Sequence, residues 1–449
     1  MRLIPIAFSD LDDLRTQFAE TIHAPSVAQA AQAAWKTYQK HQTAPHRVML
    51  MARDMAGLRR EVELAQKALP EALQSKKKWL TTQGSYFTPN PLRGPVAFVY
   101  PGAFNSYNGL GADLFRLFPT LYTRFLQITH DPVLALRAEV LYPRGSARFS
   151  EIERKALDQA LLDDPLSMVA SGTSFATLYT LIMREIFNLQ PTTALGYSLG
   201  EAAMMWALGV WKNGDDAARA LRKSDLFKTR VAGPKLAVRE AWEIAPSIPD
   251  ASIWCTYVLM APVEQVTECL KDETRAFIVI INTPNEVVLA GDPDACKRVI
   301  ARLHCHALRA PFDHVIHCAP MRSEYAGFDA LHNWPVHQIP NIVCYSAASY
   351  APTELTSLSI AHNVSTVSCS QVDFPRLVGR VYDDGARIFV ELGPQRTCSR
   401  WIDTILGDQP HLALSINQKG KNDEIGILRL LAQLAAHQAP IDLSPLFAE

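Results

Sequence analysis

The sequence lacks the features that mark several classes of protein. Its 44 Lys and Arg residues are balanced by 45 Asp and Glu residues, and a formal net charge of −1 offers no electrostatic basis for binding nucleic acid or a membrane surface. No uninterrupted apolar run approaches the roughly 20 residues that a membrane-spanning helix needs. We therefore expect a cytoplasmic protein with neither nucleic acid nor membrane as a partner.

Cysteine is scarce and unevenly placed. All eight cysteines lie in the second half of the chain, and none forms a C-x-x-C pair. The cluster His304-Cys305-His306 is the best candidate for metal ligation, but no second ligand pair follows at zinc-finger spacing. Alternation along a strand would also point Cys305 away from both histidines. We expect free, mostly buried thiols and no metal site.

The most informative motif is a G-x-S-x-G pattern centred on Ser198. It follows a short β-rich run and precedes an apolar helical run, which is the context of a serine held on a tight strand-to-helix turn. The N-terminus of a helix favours developing negative charge at such a serine. The pentapeptide alone also occurs in proteins without catalysis. Its position after a strand favours acyl transfer or acyl hydrolysis through an ester on Ser198.

A serine nucleophile needs a base, and the order of the partners along the chain separates two classes. An α/β-hydrolase places its histidine late, where this chain has only His411 and His437, in segments without another catalytic signature. His317 lies 119 residues beyond Ser198. The residues around it, His-Cys-Ala-Pro-Met, favour His317 as the base over a structural histidine.

A third segment completes the candidate site. Residues 96–100 have the composition of a buried strand, and they run into a Gly-rich turn, residues 101–111. Such a turn can present a backbone N–H to an oxyanion, although a plain β-to-α connection is the alternative. The glycine spacing does not match a phosphate-binding fingerprint.

With these motifs the chain resembles the malonyl-CoA:acyl-carrier-protein transacylase family of fatty-acid and polyketide synthases. The family pattern is F-P-G-Q-G-S-Q-x-x-G-M-G, then G-H-S-x-G-E, then S-H-C-A-L-M, then F-x-E-x-G-P. The corresponding segments occur here in the same order, at residues 100–111, 196–201, 316–321 and 389–394. The residues within these motifs are similar to those of the acyltransferase domain of bacterial polyunsaturated fatty acid synthases of the B-subunit type.

The resemblance implies a role for each matching residue. Ser198 would be acylated by an acyl thioester, and His317 would take the serine proton and return it to the leaving thiol. A backbone carbonyl from residues 364–370, rather than a carboxylate, would orient the histidine. The backbone N–H groups of Leu199 and Ala103 would form the oxyanion hole, where each donor contributes about 3 kcal/mol. No tightly bound cofactor is implied, and acyl-CoA or acyl-phosphopantetheine would be the substrate.

Several residues differ from the family pattern, and these differences bear on which acyl group the protein would bind. Ala103 replaces the family's glutamine, and Tyr197 replaces the histidine before the nucleophile. The family's carboxylate-binding arginine corresponds to Lys223, with Arg222 one residue out of register and Arg230 further on. Lysine does not reproduce the bidentate grip of arginine on a carboxylate. The substitutions favour an uncharged acyl group over malonyl, with Tyr197 and Arg222 as candidate substrate-binding residues.

Ile316, directly before the candidate base, is also a candidate substrate-binding residue. Its bulk would narrow the pocket near the acyl α-carbon, although simple core packing explains it equally well.

The predicted fold class is α/β, with a hydrolase-like parallel-sheet core, an inserted ferredoxin-like subdomain and a small α+β adaptor domain in front. Residues 1–91 resemble the adaptor between ketosynthase and acyltransferase domains of polyketide synthases. Residues 92–250 and 317–412 would form the core, and residues 251–316 alternate as βαββαβ. Residues 413–449 would form a tail that wraps back onto the adaptor.

Three functions follow from these patterns. The first is an acyltransferase that moves an acyl group through Ser198 to the phosphopantetheine thiol of an acyl carrier protein, in polyunsaturated fatty acid or polyketide-like biosynthesis. The second is an acyl-thioester hydrolase of the same fold, and the third is a non-catalytic docking module. Expected partners are an acyl carrier protein and other synthase domains, with a ketosynthase-like domain upstream. A basic patch for the carrier is predicted from the arginines Arg376, Arg380, Arg387, Arg396 and Arg400.

Overall fold

The N-terminal part of the protein is an antiparallel sheet covered by helices. The structure is a computed structural model that describes residues 1–145, 148–212 and 214–448. The sheet has the order β1-β2-β4-β3, and Asp10, Ser26 and Asp54 cap the N-termini of the helices. The elements are β1 (Arg2–Phe8), α1 (Leu11–Ile22), α2 (Val27–Lys40), β2 (His46–Ala52), α3 (Met55–Ser75), β3 (Trp79–Leu80) and β4 (Tyr86–Phe87).

A six-stranded sheet forms the centre of the molecule. Its order is β12-β11-β6-β5-β14-β15, and every pair is parallel except β11 with β12. The strands are β5 (Val96–Tyr100), β6 (Thr193–Gly196), β11 (Val343–Ser346), β12 (Ala351–Pro352), β14 (Ile388–Glu391) and β15 (Leu412–Ser415). Because β15 pairs along its whole length with β14, the central sheet continues through Ser415, three residues beyond the predicted end of the core at residue 412.

Helices cover the central sheet. Ser150 and Glu153 form a capping box at the start of α8. The helices are α4 (Leu114–Leu117), α5 (Pro119–Leu126), α6 (Pro132–Leu136), α7 (Ala138–Leu141), α8 (Glu151–Leu162), α9 (Pro165–Leu181), α10 (Gly200–Ala207), α11 (Gly214–Lys223), α12 (Leu236–Trp242), and, after the inserted region, α15 (Tyr325–His332), α16 (Ser357–Cys369), α17 (Phe374–Asp383) and α18 (Thr397–Leu406).

The helix α9 is apolar on every side. With the π-helical turn that follows it, it forms a helical segment, Pro165–Ile186, that is long and apolar enough to cross a membrane by length and composition. Most of this segment is buried inside the protein. Such burial is typical of the central helix of a packed core.

A third sheet is built from the inserted region. Its elements are β7 (Cys255–Met260), α13 (Val263–Cys269), β8 (Ala276–Thr283), β9 (Glu286–Gly291), α14 (Pro293–Leu303) and β10 (His306–Arg309). The strand order is β10-β7-β9-β8, with all neighbours antiparallel. A further strand, β13 (Val372–Asp373), pairs parallel with β8 and joins this sheet to the segment that leads into α17.

The C-terminal segment returns to the N-terminal sheet. Its helix, α19 (Asp423–Ala436), packs against β1, β2 and β4. Beyond the helix, the ring of His437 lies 2.8 Å from the Tyr86 hydroxyl and accepts the backbone N–H of Leu92. The two ends of the chain are therefore held together by packing and by buried hydrogen bonds.

Candidate active site

Ser198 lies on a sharp turn between β6 and α10. Its φ of 57° is left-handed, a conformation that non-glycine residues adopt at a cost in free energy. A Cβ on Gly196 would lie 2.2 Å from the backbone nitrogen of Glu201, and a Cβ on Gly200 would lie 2.1 Å from the backbone oxygen of Tyr100. Both glycines are therefore required by close backbone approach, and the turn lifts the Ser198 hydroxyl out of the sheet.

His317 lies against this hydroxyl. The Nε2 of His317 is 2.6 Å from Ser198 Oγ, and Nδ1 is 2.5 Å from the backbone oxygen of Val367. A carbonyl only accepts, so Nδ1 carries the proton and Nε2 is free to accept the serine proton. Burial lowers the pKa of His317 to about 4, against the opposing effect of the Val367 carbonyl. The imidazole is therefore neutral at pH 7.

The last turn of α16 holds the histidine in place. The backbone N–H of His317 donates to the Ser368 carbonyl at 2.8 Å, one residue beyond the carbonyl that binds its ring. Helix α16 ends at Cys369, so these carbonyls belong to the final turn, whose acceptors have no partner within the helix. Because these carbonyl oxygens have no partner within the helix, they can accept hydrogen bonds from the histidine. The carbonyl predicted to lie within residues 364–370 is that of Val367.

The segment after β5 lies beside the serine. A Cβ on Gly102 would lie 3.3 Å from the Cβ of Ser198, which shows how closely the backbones approach. Ala103 and Leu199 line the same cleft as Gly102. The next residue, Phe104, has a φ of 68°, and its ring stacks on that of His314 at a centroid distance of 4.5 Å. Ala103 and Leu199, the predicted oxyanion donors, thus line one cleft together with Gly102, whose backbone approaches Ser198.

Tyr197 connects the turn to the third sheet, that of the inserted region. Its hydroxyl donates to Asn282 Oδ1 at 2.7 Å, and Asn282 Nδ2 donates to Glu286 Oε1 at 2.9 Å. The same oxygen accepts the indole N–H of Trp401 at 3.0 Å, and the Trp401 ring packs on Tyr197. Burial holds the pKa of Tyr197 well above its usual range. No local motif in the sequence marks Asn282, Glu286 and Trp401 as neighbours of the turn, so none of the three is predicted from the sequence.

The remaining predicted substrate-binding residues have different environments. Arg222 is half-buried and lines the cleft beside Ser198, whereas Lys223 is exposed. Arg230 donates to Glu324 at 2.9 Å and to Glu240 at 2.6 Å, and these carboxylates hold its pKa above the usual range. Of these cations, Arg222 therefore faces the cleft, while Arg230 is engaged within the protein.

Ile316 is half-buried and packs against the same apolar cluster as Ala103 and Tyr197. The structure thus gives it a packing role next to His317.

Two buried carboxyl groups belong to the family motifs. Burial raises the pKa of Glu201 and of Glu391 to about 7 in each case. Glu391 accepts the backbone N–H groups of Cys398 and Ser399 at 3.1 and 2.8 Å, and Glu201 accepts that of Ala347 at 3.1 Å. These side chains hold the start of α18 and the segment after β11 rather than the imidazole of the site.

Several arginines of the predicted basic patch make contacts within the protein. Arg376 and Arg387 lie over the rings of Tyr350 and Tyr382, and Arg380 pairs with Asp384 at 2.8 Å. Among the described residues, no group of three or more His, Cys, Asp or Glu side chains is arranged to hold a metal ion.

No model of a known protein family matches the sequence. The fold, however, is that of acyltransferase domains. The acyltransferase domain from module 8 of the salinomycin polyketide synthase superposes with a TM-score of 0.73 at 18% identity, covering 99% of this chain and 98% of that one. A malonyl-transacylase in complex with a type II polyketide synthase acyl-carrier protein superposes with a TM-score of 0.56 at 18% identity, covering 77% of this chain and 99% of the other.

The sequence relationship is more specific than the fold. The chain is 29% identical over 413 residues to the B-type subunit of the polyunsaturated fatty acid synthase of Thraustochytrium sp., an alignment that covers 87% of this chain and 20% of that protein. The resemblance inferred from the motifs is thereby confirmed: the chain is a homologue of this synthase component with the fold of polyketide synthase acyltransferase domains. It spans about a fifth of the length of that relative.

Proposed function

We propose that this chain is an acyltransferase with a Ser–His dyad, which carries an acyl group on Ser198 between thioesters. The observation that carries the proposal is the 2.6 Å contact between Ser198 Oγ and His317 Nε2, with Nδ1 bound to a carbonyl. This arrangement supports Nε2 as the proton acceptor, because its tautomer is fixed and the ring is neutral at physiological pH.

In the first half-reaction, Ser198 Oγ attacks the carbonyl carbon of an acyl thioester and its proton passes to His317 Nε2. The oxyanion of the tetrahedral intermediate accepts hydrogen bonds from the backbone N–H groups of Leu199 and Ala103. Collapse of the intermediate breaks the carbon–sulfur bond, and the leaving thiolate takes the proton from His317. The products are a serine ester and free coenzyme A or carrier thiol.

In the second half-reaction, the phosphopantetheine thiol of an acyl carrier protein attacks the ester. His317 takes the thiol proton and returns it to Ser198 Oγ. The chemistry needs only the two thioester substrates and no tightly bound cofactor. The carrier, a synthase containing a ketosynthase-like domain upstream, and a cytoplasmic location are parts of the proposal. The similarity to a component of a polyunsaturated fatty acid synthase supports a role in that class of biosynthesis.

Intact-protein mass spectrometry tests the proposal. The protein is mixed with acetyl, malonyl and long-chain acyl thioesters, and the mass of the acyl adduct is followed with time. We expect an adduct that is absent from Ser198→Ala, slowed by at least about a hundredfold in His317→Ala, and unchanged in Ser349→Ala, a control at an exposed serine.

Adding a phosphopantetheine-bearing carrier then separates transfer from hydrolysis. Movement of the acyl mass to the carrier supports the transferase, whereas release of free acid with no acyl carrier supports the hydrolase. Absence of any adduct or free acid would leave the non-catalytic docking module.

A further inference from the structure

A cleft of about 450 Å³ lies in the helical layer beside the candidate active site, and its lining includes Leu199, the residue after Ser198. Gly102, Ala103 and Leu199 form its wall beside Ser198. Away from the serine, the cleft passes between α9, α10, α11 and α15. A volume of this size is typical of a small-molecule site. The acyl group of a Ser198 ester would thus lie next to an opening into the protein.

The walls of the cleft are mainly apolar. Helix α9 contributes small residues, which leave the space open, and large apolar side chains enclose it on the other sides. The large ones are Phe125, Ile128, Leu134, Trp206, Phe227 and Trp334.

Helix α11 presents an apolar face that the protein covers only in part. None of its described side chains is buried, although the helix contacts α9 and α15 and Leu221 packs at the edge of a buried apolar cluster. Ala217, Ala218 and Leu221 are half-buried and line the cleft, while Asp216 and Lys223 are exposed. A hydrophobic ligand in the cleft would cover this face and remove it from water.

The two acidic groups of the lining, Asp131 and Asp215, already accept hydrogen bonds within the protein. Asp131 accepts the backbone N–H of Leu134 at 2.9 Å. Asp215 accepts the hydroxyl of Thr129 at 2.6 Å and the backbone N–H of His130 at 2.9 Å. The Arg219 guanidinium donates to Asp216 outside the cleft. Arg222 is the remaining cation of the lining. Charged groups at one part of the wall, against a large apolar surface elsewhere, favour a ligand that is mostly hydrocarbon.

We propose that this cleft holds the hydrocarbon chain of the acyl group, and that the substrate is an uncharged, unbranched acyl thioester of medium or greater length. The proposal rests on the proposed function, since it takes Ser198 as the point of attachment. A methylene has about the volume of a water molecule in the liquid, about 30 Å³, so the cleft has room for a chain of on the order of ten carbons at protein packing density.

The proposal is tested by a substitution on α11 that places a bulky side chain in the cleft. Ala218→Phe places a ring in the cleft, and Ala220→Phe adds the same ring to the same helix at a position that does not line it. Adduct formation with decanoyl and acetyl thioesters is measured for both variants. We expect Ala218→Phe to slow decanoylation by about tenfold or more, since excluding two methylenes suffices for that. Acetylation by Ala218→Phe should be slowed much less than decanoylation, and Ala220→Phe should leave both rates unchanged.

A second measurement does not depend on acylation. In a Ser198→Ala background, binding of decanoyl-CoA and acetyl-CoA is measured by calorimetry, with and without Ala218→Phe. We expect decanoyl-CoA to bind at least about tenfold more tightly than acetyl-CoA, and the Phe variant to abolish this difference. Equal binding of the two thioesters, or a chain-length preference that survives Ala218→Phe, would overturn the proposal. Tight, Phe-sensitive binding without any acylation of the native protein would retain the cleft and refute the dyad.

Discussion

The substitution Gly102→Ala tests whether the segment after β5 takes part in catalysis. A Cβ at this position would lie 2.9 Å from the backbone oxygen of Tyr197, 3.1 Å from its Cδ1 and 3.3 Å from Ser198 Cβ. Ordinary van der Waals contact begins at 3.4 Å. Because the nearest atom belongs to the backbone and cannot rotate away, the two segments must separate by about 0.5 Å, the difference between 3.4 and 2.9 Å.

Moving these two segments apart should slow acyl-enzyme formation more than it destabilises the folded protein. It would move the Ala103 N–H, the proposed oxyanion donor, away from the ester carbonyl, and displacement of such a donor costs about a hundredfold in rate. Overpacking at one methyl group costs about 1–3 kcal/mol of the free energy of unfolding. We therefore expect a folded protein in which acyl-enzyme formation is slowed by about a hundredfold.

The assay is the rate of adduct formation by mass spectrometry, together with denaturant unfolding of the same samples. Gly379→Ala is the matched control, because it lies within α17 and its added Cβ meets no atom within 4 Å. The control should gain about 0.5–1 kcal/mol of stability and acylate at the native rate. A Gly102→Ala protein that acylates as fast as this control would refute the role assigned to the segment.

The remaining predictions concern titration and charge. Because burial lowers the pKa of His317 to about 4, acyl-enzyme formation should fall on acidification with a midpoint near pH 4, and an acid limb centred near pH 6.5 would contradict a buried base. Burial also lowers the pKa of His437 from 6.5 to about 4, so only the unfolded chain binds a proton there between those values. Acidification from pH 7 to 5 should thus remove about 2 kcal/mol of stability that a His437→Gln variant keeps, measured by denaturant unfolding. Arg230→Leu leaves Glu324 buried without its counter-charge and should cost about 3–5 kcal/mol in the same assay. Arg222→Leu should leave stability within about 0.5 kcal/mol while changing the preference among acyl thioesters in the adduct assay.

The parts of the site that follow from the sequence are those set by local backbone constraints. The turn at Ser198 needs glycines on both sides because backbone atoms approach within 2.2 Å of where a Cβ would lie, and those glycines are visible in the motif. The strands β5 and β6 are short runs of buried residues bounded by such turns. For His317, the order of the motifs was sufficient to select it over the late histidines, and the hydrogen bond to Ser198 agrees with that choice.

The parts that do not follow depend on helix phase and on contacts between distant segments. Lys223 aligns with the family's arginine, but the phase of α11 points Arg222 into the cleft and Lys223 to solvent. The cleft itself brings together half-buried residues from helices far apart in the chain, each of which is an ordinary apolar residue in its own segment. Tyr197 and Asn282 are 85 residues apart in sequence, and their hydrogen bond links the end of the central sheet to the sheet of the inserted region. No periodicity records such a contact.

The anchoring of His317 shows how the proposed Ser198–His317 dyad would operate without a carboxylate. At the resting stage, burial keeps the imidazole neutral, so the base is available throughout the physiological range. When the proton of Ser198 passes to Nε2, a positive charge develops in a ring whose Nδ1–H points at the Val367 carbonyl, in the last turn of α16. The C-terminal end of a helix carries a partial negative charge, which stabilises the imidazolium as it forms. A full carboxylate in this place would stabilise it more strongly, but it would also raise the resting pKa and reduce the fraction of neutral base. The carbonyl therefore suits a histidine that must accept a proton at each acylation and release it to the departing thiol.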